Sequence, residues 1–466
     1  LKQLGARLGR AGFSAGLRLH FQRHAFSNAT LADFLTSLEE GSGVSLADWS
    51  AQWLRTSGPN RLGAEVVANT TGTIQSLTVT QEVASGDPVL RQHLIRVALI
   101  YSGRSGLAIE PHEVLVTGER TDVPSAAGRP LPLAVIPNHD DLAVGKLGLD
   151  EATLRFAETR MEAIPDGLLR QLTWMAIYEL VRDGRYPAAR YAQLLINRLP
   201  HEVDSSIVQG VVESTLGGLL LRYLPDGERE RWGSLIVDAA RTRLARGGSE
   251  GMRIVWSRVM VMASVTPRDV EETWQVAVGE TPLDGVDIDQ DHRWSLLVRA
   301  ASFGAPNSAE RLAAEALRDP SDRGERALLA AEVATPNVAA KRAAWARILR
   351  SDGYGSVRKT LAAASGFAWP WQHELLAPYV AQIPTAFLAL GSADATFARD
   401  LVTRSASLGL WGSPTSMLAA VDALLANIAD PAHGIPPVDA ARLRRFALLE
   451  RDGLIRFLRQ QGTSGK

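Results

Sequence analysis

The chain of 466 residues carries 50 Lys+Arg against 51 Asp+Glu, a formal net charge of -1, with 46% hydrophobic and 22% charged residues. Its length suggests about three domains of ordinary size, and the balanced charge removes the electrostatic case for nucleic acid or an anionic membrane as partner. With no cysteine, a disulfide framework, a thiolate metal site and a cysteine nucleophile are excluded, and the composition fits a reducing, cytoplasmic compartment.

Residues 1–58 read as three short helices. The pattern Leu1-Lys2-Gln3-Leu4 starts inside a helix without methionine or a signal peptide, so the chain is expected to be a truncation. Leu17, Phe21 and His24, with Phe13 and Phe26, make an apolar stripe at helical spacing, with Phe21 and Phe26 toward an exposed edge. Thr30 stands where an N-cap belongs, with Asp33 three residues on, so that hydroxyl and carboxylate can satisfy free amides of the first turn. Leu31, Phe34, Leu35 and Leu38 follow as the buried face, and Gly41 and Gly43 supply a stop. Ser45 and Asp48 repeat the capping spacing ahead of Trp49 and Trp53.

Residues 60–145 change character. Leu77–Thr80, Leu94–Tyr101 and Glu113–Thr117 are short, β-branched runs bounded by Gly86-Asp87-Pro88, Ser102-Gly103-Arg104 and Gly118. Close spacing without intervening helices predicts antiparallel pairing in a small β-sandwich and leaves no room for parallel crossovers.

From residue 150 the 3.6-residue period returns and stays. Leu168, Leu172, Met175, Ala176 and Leu180 form one stripe, opened by Asp166 and closed by Gly184, and Pro187 starts the next helix. Further stripes run through Ile207–Leu224, Trp232–Leu244, Ile254–Met262, Trp294–Ala301, Ala309–Leu317, Ala327–Ala334 and Ala339–Leu349, and on to Leu443–Leu458. The longest apolar run, Ile207–Leu221, is broken by Gln209, Glu213 and Ser214 and cannot cheaply cross a bilayer. Helices of three to five turns joined by short breaks, with no strict repeat, predict an irregular α-solenoid of the HEAT/armadillo type.

The motifs that could carry chemistry are weak. Gly12-Phe13-Ser14-Ala15-Gly16 matches the G-x-S-x-G nucleophile elbow, but the required preceding strand is replaced by a helix. His20 and His24 stand four apart, a metal-gripping spacing, yet Phe21 occupies the place of a general-base glutamate and no third ligand is evident. His112-Glu113, His201-Glu202 and His373-Glu374 lack a histidine three residues on. No catalytic or metal-ligating residue is assigned, and the substrate-binding residues are unknown. Of the eleven tryptophans, Trp49, Trp53, Trp174, Trp232, Trp294 and Trp345 fall at core spacing. Trp369-Pro370-Trp371 reads as a plug between helices, with a peptide-facing aromatic wall as the alternative.

Several segments, in order, resemble a known family. Leu1-Lys2-Gln3-Leu4, Gly16-Leu17-Arg18, Phe26 to Asp33 and Trp53 to Gly58 are similar to the closing helices of the thermolysin-like domain of aminopeptidase N, a gluzincin-type zinc enzyme, in its actinobacterial-like form. Pro137 to Asp150 resembles the family's link between β-sandwich and helical domain. Asp322-Arg323-Gly324, Lys341 to Trp345, His373 to Val380 and Arg442 to Arg459 resemble later landmarks of that helical domain.

The resemblance implies a mostly α fold with a small all-β domain. Residues 1–59 would be the helical tail of the catalytic domain, 60–146 the β-sandwich, and 147–466 a concave helical solenoid. It implies an aminopeptidase in which this portion is the spacer and the lid over a peptide substrate. The zinc motif H-E-x-x-H, the amine-binding G-x-M-E-N and the catalytic tyrosine's motif do not occur in the sequence. No cofactor is therefore expected in this chain, zinc is expected in the missing N-terminal half, and the chain alone is expected to be inactive. The partners implied are that N-terminal catalytic region and a peptide, with no nucleic acid and no membrane. The competing reading is a stand-alone α-solenoid scaffold for protein interaction.

Overall fold

Three helices open the chain: α1 (Lys2–Arg23), α2 (Leu31–Ser42) and α3 (Ala47–Leu54). The computed structural model describes residues 1–284, 286, 288–404 and 411–463, and the chain divides into two units, Leu1–Leu180 and Val181–Lys466. Thr30 and Asp33 form the expected reciprocal cap on α2, which ends at Gly43 in the left-handed conformation. Ser45 and Asp48 do not repeat it. Leu46 is the N-cap of α3, and its amide donates to Glu39 Oε1 of α2 at 2.5 Å.

The stripe predicted on α1 is also displaced. Gly9, at φ 65°, breaks the helix after its second turn, and the predicted stripe lies wholly beyond this break. Leu4, Leu8 and Gly16 face inward with Leu38, Leu46 and Trp49, whereas Phe21 is 69% exposed and Phe26 wholly so.

Seven strands follow: β1 (Asn60–Ala68), β2 (Ile74–Val83), β3 (His93–Gly103), β4 (Gly106–Val116), β5 (Arg120–Asp122), β6 (Ala134–Ile136) and β7 (Gly145–Leu147). They form a sheet in the order β5-β2-β1-β7 and a second in the order β4-β3-β6. Leu62, Leu77 and Val79 of one sheet share a core with Ile95, Val97 and Leu99 of the other. The pairing is antiparallel except that β7 lies parallel to β1, over Asn60↔Gly145 to Leu62↔Leu147. This pair corrects the expectation that a parallel crossover has no room, because its crossover is the whole β region instead of a helix.

The opening helices are fastened to these sheets by buried polar groups. Gln3 exchanges two hydrogen bonds with the backbone of Leu94, at 2.8 and 3.0 Å, in the manner of an extra strand residue. Arg91, 4% exposed, donates to Gln52 O, Thr56 Oγ1 and Ser57 O. His93 packs edge-on to Trp53, and its burial brings its pKa down to about 4, so it sits there neutral.

Helices α4 (Glu151–Arg160) and α5 (Gly167–Arg182) lead to the second unit. It contains α6 (Ala188–Arg198), α7 (Ser205–Val211), α8 (Asp226–Ala245), α9 (Glu250–Ala263), α10 (Pro267–Ala277), α11 (Gln290–Ser302), α12 (Ser308–Arg318), α13 (Asp322–Ala334), α14 (Val338–Ile348) and α15 (Val357–Ser365). After these come α16 (His373–Val380), α17 (Ile383–Ala393), α18 (Ala395–Arg404), α19 (Pro414–Ala429) and α20 (Pro437–Thr463). Two π-helical turns, Val212–Leu216 and Leu219–Tyr223, extend α7. Helices α9, α11, α13 and α15 pack each on the next, with α12 and α14 between them in sequence.

The ends of this row are tied differently. At the C-terminal ends the ties are buried. Arg299 donates to the carbonyls of Met262 and Ser264 at the end of α9, both at 3.0 Å. Gln372 Nε2 donates to Ser302 O and Ala334 O, bridging α11 and α13 at 2.6 and 2.8 Å. Lys341, fully buried, donates to Val333 O and Phe367 O at 2.8 and 2.6 Å, bridging the ends of α13 and α15. These groups satisfy carbonyls that a helix end leaves without a partner. At the N-terminal ends the ties are solvent-facing ion pairs, Arg323–Asp291 and Lys359–Glu325.

Candidate functional site

The residues singled out in the sequence are not brought together. Ser14 lies exposed within α1, away from any strand-to-helix turn. The flanking glycines serve the crossing with α2. A β-carbon on Gly16 would stand 2.6 Å from Leu38 Cα, and one on Gly41 2.2 Å from the Gly16 nitrogen. The elbow-like pattern is a close helix contact.

His20 and His24 have ring centroids 5.0 Å apart, and His20 meets Phe34 edge-on at 5.2 Å. Asp33, nearby, is held below the usual carboxylate range chiefly by the Thr30 amide and hydroxyl. His112 is buried with its Nδ1 2.9 Å from Ser125 Oγ, while Glu113, next in the strand, faces Arg96. Glu202 is buried and accepts from the amides of Val203 and Asp204, whereas His201 is exposed. No group of three His, Asp or Glu able to hold a metal occurs among the described residues, so these do not fit zinc.

Five of the six core-spaced tryptophans are buried, Trp53 only partly. Trp369-Pro370-Trp371 lies between α15 and α16. The indoles stack at 5.0 Å, and Trp371 stacks on Phe303 at 4.2 Å with an interplanar angle of 14°. That is a plug. Each residue also lines a separate hollow. Trp369 borders a cavity of about 370 Å³ along α11, α13 and α15, where Arg323 and Arg326 are engaged by Asp291 and Asp322. Trp371 borders one of about 670 Å³ with Glu230, Glu374 and Val338. Pro370 borders a third, of about 380 Å³.

Asp226, Arg229 and His373 form the wall common to the second and third hollows. Arg229 is 3% exposed, pairs with Asp226, and lies over the Trp371 ring at 6.0 Å. His373 Nε2 is 3.5 Å from Asp226 Oδ2. Among the described residues this is the place where cavities, an aromatic surface and charged groups converge, the usual marks of a ligand-facing surface. Spacing could flag the two indoles, but Asp226 and Arg229, far earlier in the chain, meet His373 only through the fold.

The opening helices are notable for the apolar side chains they expose. Leu1, Phe21, Phe26 and Leu31, all on or beside α1 and α2, are more than half exposed, at 81%, 69%, 111% and 56%.

A family model described as the ERAP1-like C-terminal domain matches residues 134–433. The chain is 31% identical over 478 residues to aminopeptidase N of Streptomyces lividans, an alignment that covers 99% of this chain and 54% of that protein. Among solved structures, Legionella pneumophila aminopeptidase A, crystallised with aspartic acid, superposes with a TM-score of 0.60 at 12% identity, over 97% of this chain and 55% of that one. The chain thus spans about half the length of these relatives.

Proposed function

The chain belongs to the ERAP1-like C-terminal domain family, and on that premise we propose that it is the C-terminal part of a zinc-dependent aminopeptidase that removes N-terminal residues from peptides. In this reading residues 1–59 close the catalytic domain, 60–146 are a β-sandwich spacer, and 147–466 are an irregular solenoid enclosing the substrate chamber. Zinc and the hydrolytic groups belong to the rest of the protein, and the surface around Trp369 and Trp371 faces the peptide.

The observation that carries this reading is identity to an aminopeptidase N running through 99% of the chain, opening helices and β region included. Two sheets with a common core support the spacer, and helices packed each on the next support the solenoid. The exposed Leu1, Phe21, Phe26 and Leu31 favour a face made to be covered by the catalytic part over the sealed polar surface a free-standing scaffold needs.

The test is hydrolysis of an aminoacyl-arylamide by the purified chain, alone and joined to the N-terminal half of the same protein. Alone it is expected to show neither turnover nor stoichiometric zinc, and joining is expected to restore both. Turnover by the chain alone that persists through rigorous purification overturns the non-catalytic assignment.

A further inference from the structure

The 380 Å³ hollow beside Pro370 has a chemistry that the aminopeptidase reading does not use and on which it does not depend. Besides the wall of Asp226, Arg229 and His373 it has an apolar part: Leu221 and Leu224, at the second π-helical turn, and Leu454, Phe457 and Leu458 of α20. Into this surface come two guanidinium groups. Arg229 gives one nitrogen to Asp226, but its Nε is buried without a partner. Arg222 has no hydrogen bond or ion pair among the described residues, and both its Nε and Nη2 are shut away from solvent.

Acidic neighbours do not answer this demand. Asp226 is already shared between Arg229 and His373. Glu450 of α20 feels the Arg222 charge, yet desolvation pushes its carboxyl above the usual range, and its Oε2 makes no hydrogen bond to Arg222 or any other described group. Guanidinium nitrogens buried without partners are costly, and each calls for an explanation in a ligand or a water. The leucines and Phe457 suit an organic tail better than a water cluster.

Two further features hold Arg222 in place. It lies in the π-helical turn Leu219–Tyr223, an uncommon conformation that recurs at functional sites. Opposite it, α20 carries Gly453 in its interior, where a β-carbon would stand 2.2 Å from Arg222 Nη2. Glycine inside a helix costs about 1 kcal/mol relative to alanine, and here its absence of a side chain seats the guanidinium.

We propose that this hollow binds a small apolar monocarboxylate, with Arg222 and Arg229 taking the carboxylate and the walls formed by α20 and Leu221 taking the tail. Such a pocket separates the two halves of its ligand: charge without tail, or tail without charge, binds poorly. At about 380 Å³ it falls within the range of small-molecule sites.

Calorimetric titration of the 466-residue chain with octanoate, octanol and acetate tests this. One octanoate per chain is expected, with octanol and acetate each at least about tenfold weaker, a tenfold step being 1.4 kcal/mol. Arg222→Met is expected to weaken octanoate at least tenfold and to leave octanol within twofold. Leu458→Trp, which fills the hollow from the opposite wall and leaves both arginines intact, is expected to weaken octanoate equally, and it decides the matter if Arg222→Met does not fold. Octanoate bound no better than octanol, or bound undiminished by a folded Arg222→Met or Leu458→Trp chain, overturns the proposal.

Discussion

Lys341 shows most directly how one side chain can govern stability. It is wholly enclosed, and burial brings its pKa down from 10.5 to about 7. Below about 7 the folded protein bears the full penalty of a buried cation. Between about 7 and 10.5 the unfolded chain holds a proton that the folded one has released, so stability contributed by this residue rises with pH, by up to about 1.4 kcal/mol per unit. Urea denaturation across that range is expected to show the rise in the native chain and a flatter profile in Lys341→Met. Gly41 makes the steric counterpart. Because an added methyl would collide with the backbone nitrogen of Gly16 at 2.2 Å, Gly41→Ala must spread α1 and α2. Overpacking of this kind costs about 1–3 kcal/mol, and the opening helices are expected to become the first site of limited proteolysis.

Element by element, local rules in the sequence were readable wherever neighbours in the chain determine the outcome. Thr30 with Asp33, Asp166 at the start of α5 and Gly184 at its end all act as spacing implies. Failures came where a distant element intervened. Glu39 of α2 holds the Leu46 amide, and α3 starts from Leu46 instead of from a Ser45–Asp48 box. The wall formed by Asp226, Arg229 and His373 was illegible for the same reason: its members come together only once α8 and α16 are placed. Gln372 is another residue whose role appears only in the fold. It joins the ends of α11 and α13, and Gln372→Met leaves two carbonyls without their donor. A loss of about 1–3 kcal/mol is expected, measured as a shift of the denaturation midpoint with the slope unchanged.

For the whole molecule, the exposed Phe21 and Phe26 make a prediction about behaviour in solution. Large exposed apolar side chains promote association, so the chain is expected to self-associate with rising concentration in analytical ultracentrifugation. Phe21→Ser with Phe26→Ser is expected to abolish this without lowering the melting temperature, since neither ring belongs to the core of Leu4, Leu8, Leu38, Leu46 and Trp49. The row from α9 to α15 carries a different consequence. One edge is sewn by donors sealed from water, the other by ion pairs such as Arg323–Asp291, whose partners are 67% and 39% exposed and whose attraction salt screens. The helices can therefore splay like pages of a bound book, spine fast and fore-edge loose, and brine would ruffle only the fore-edge.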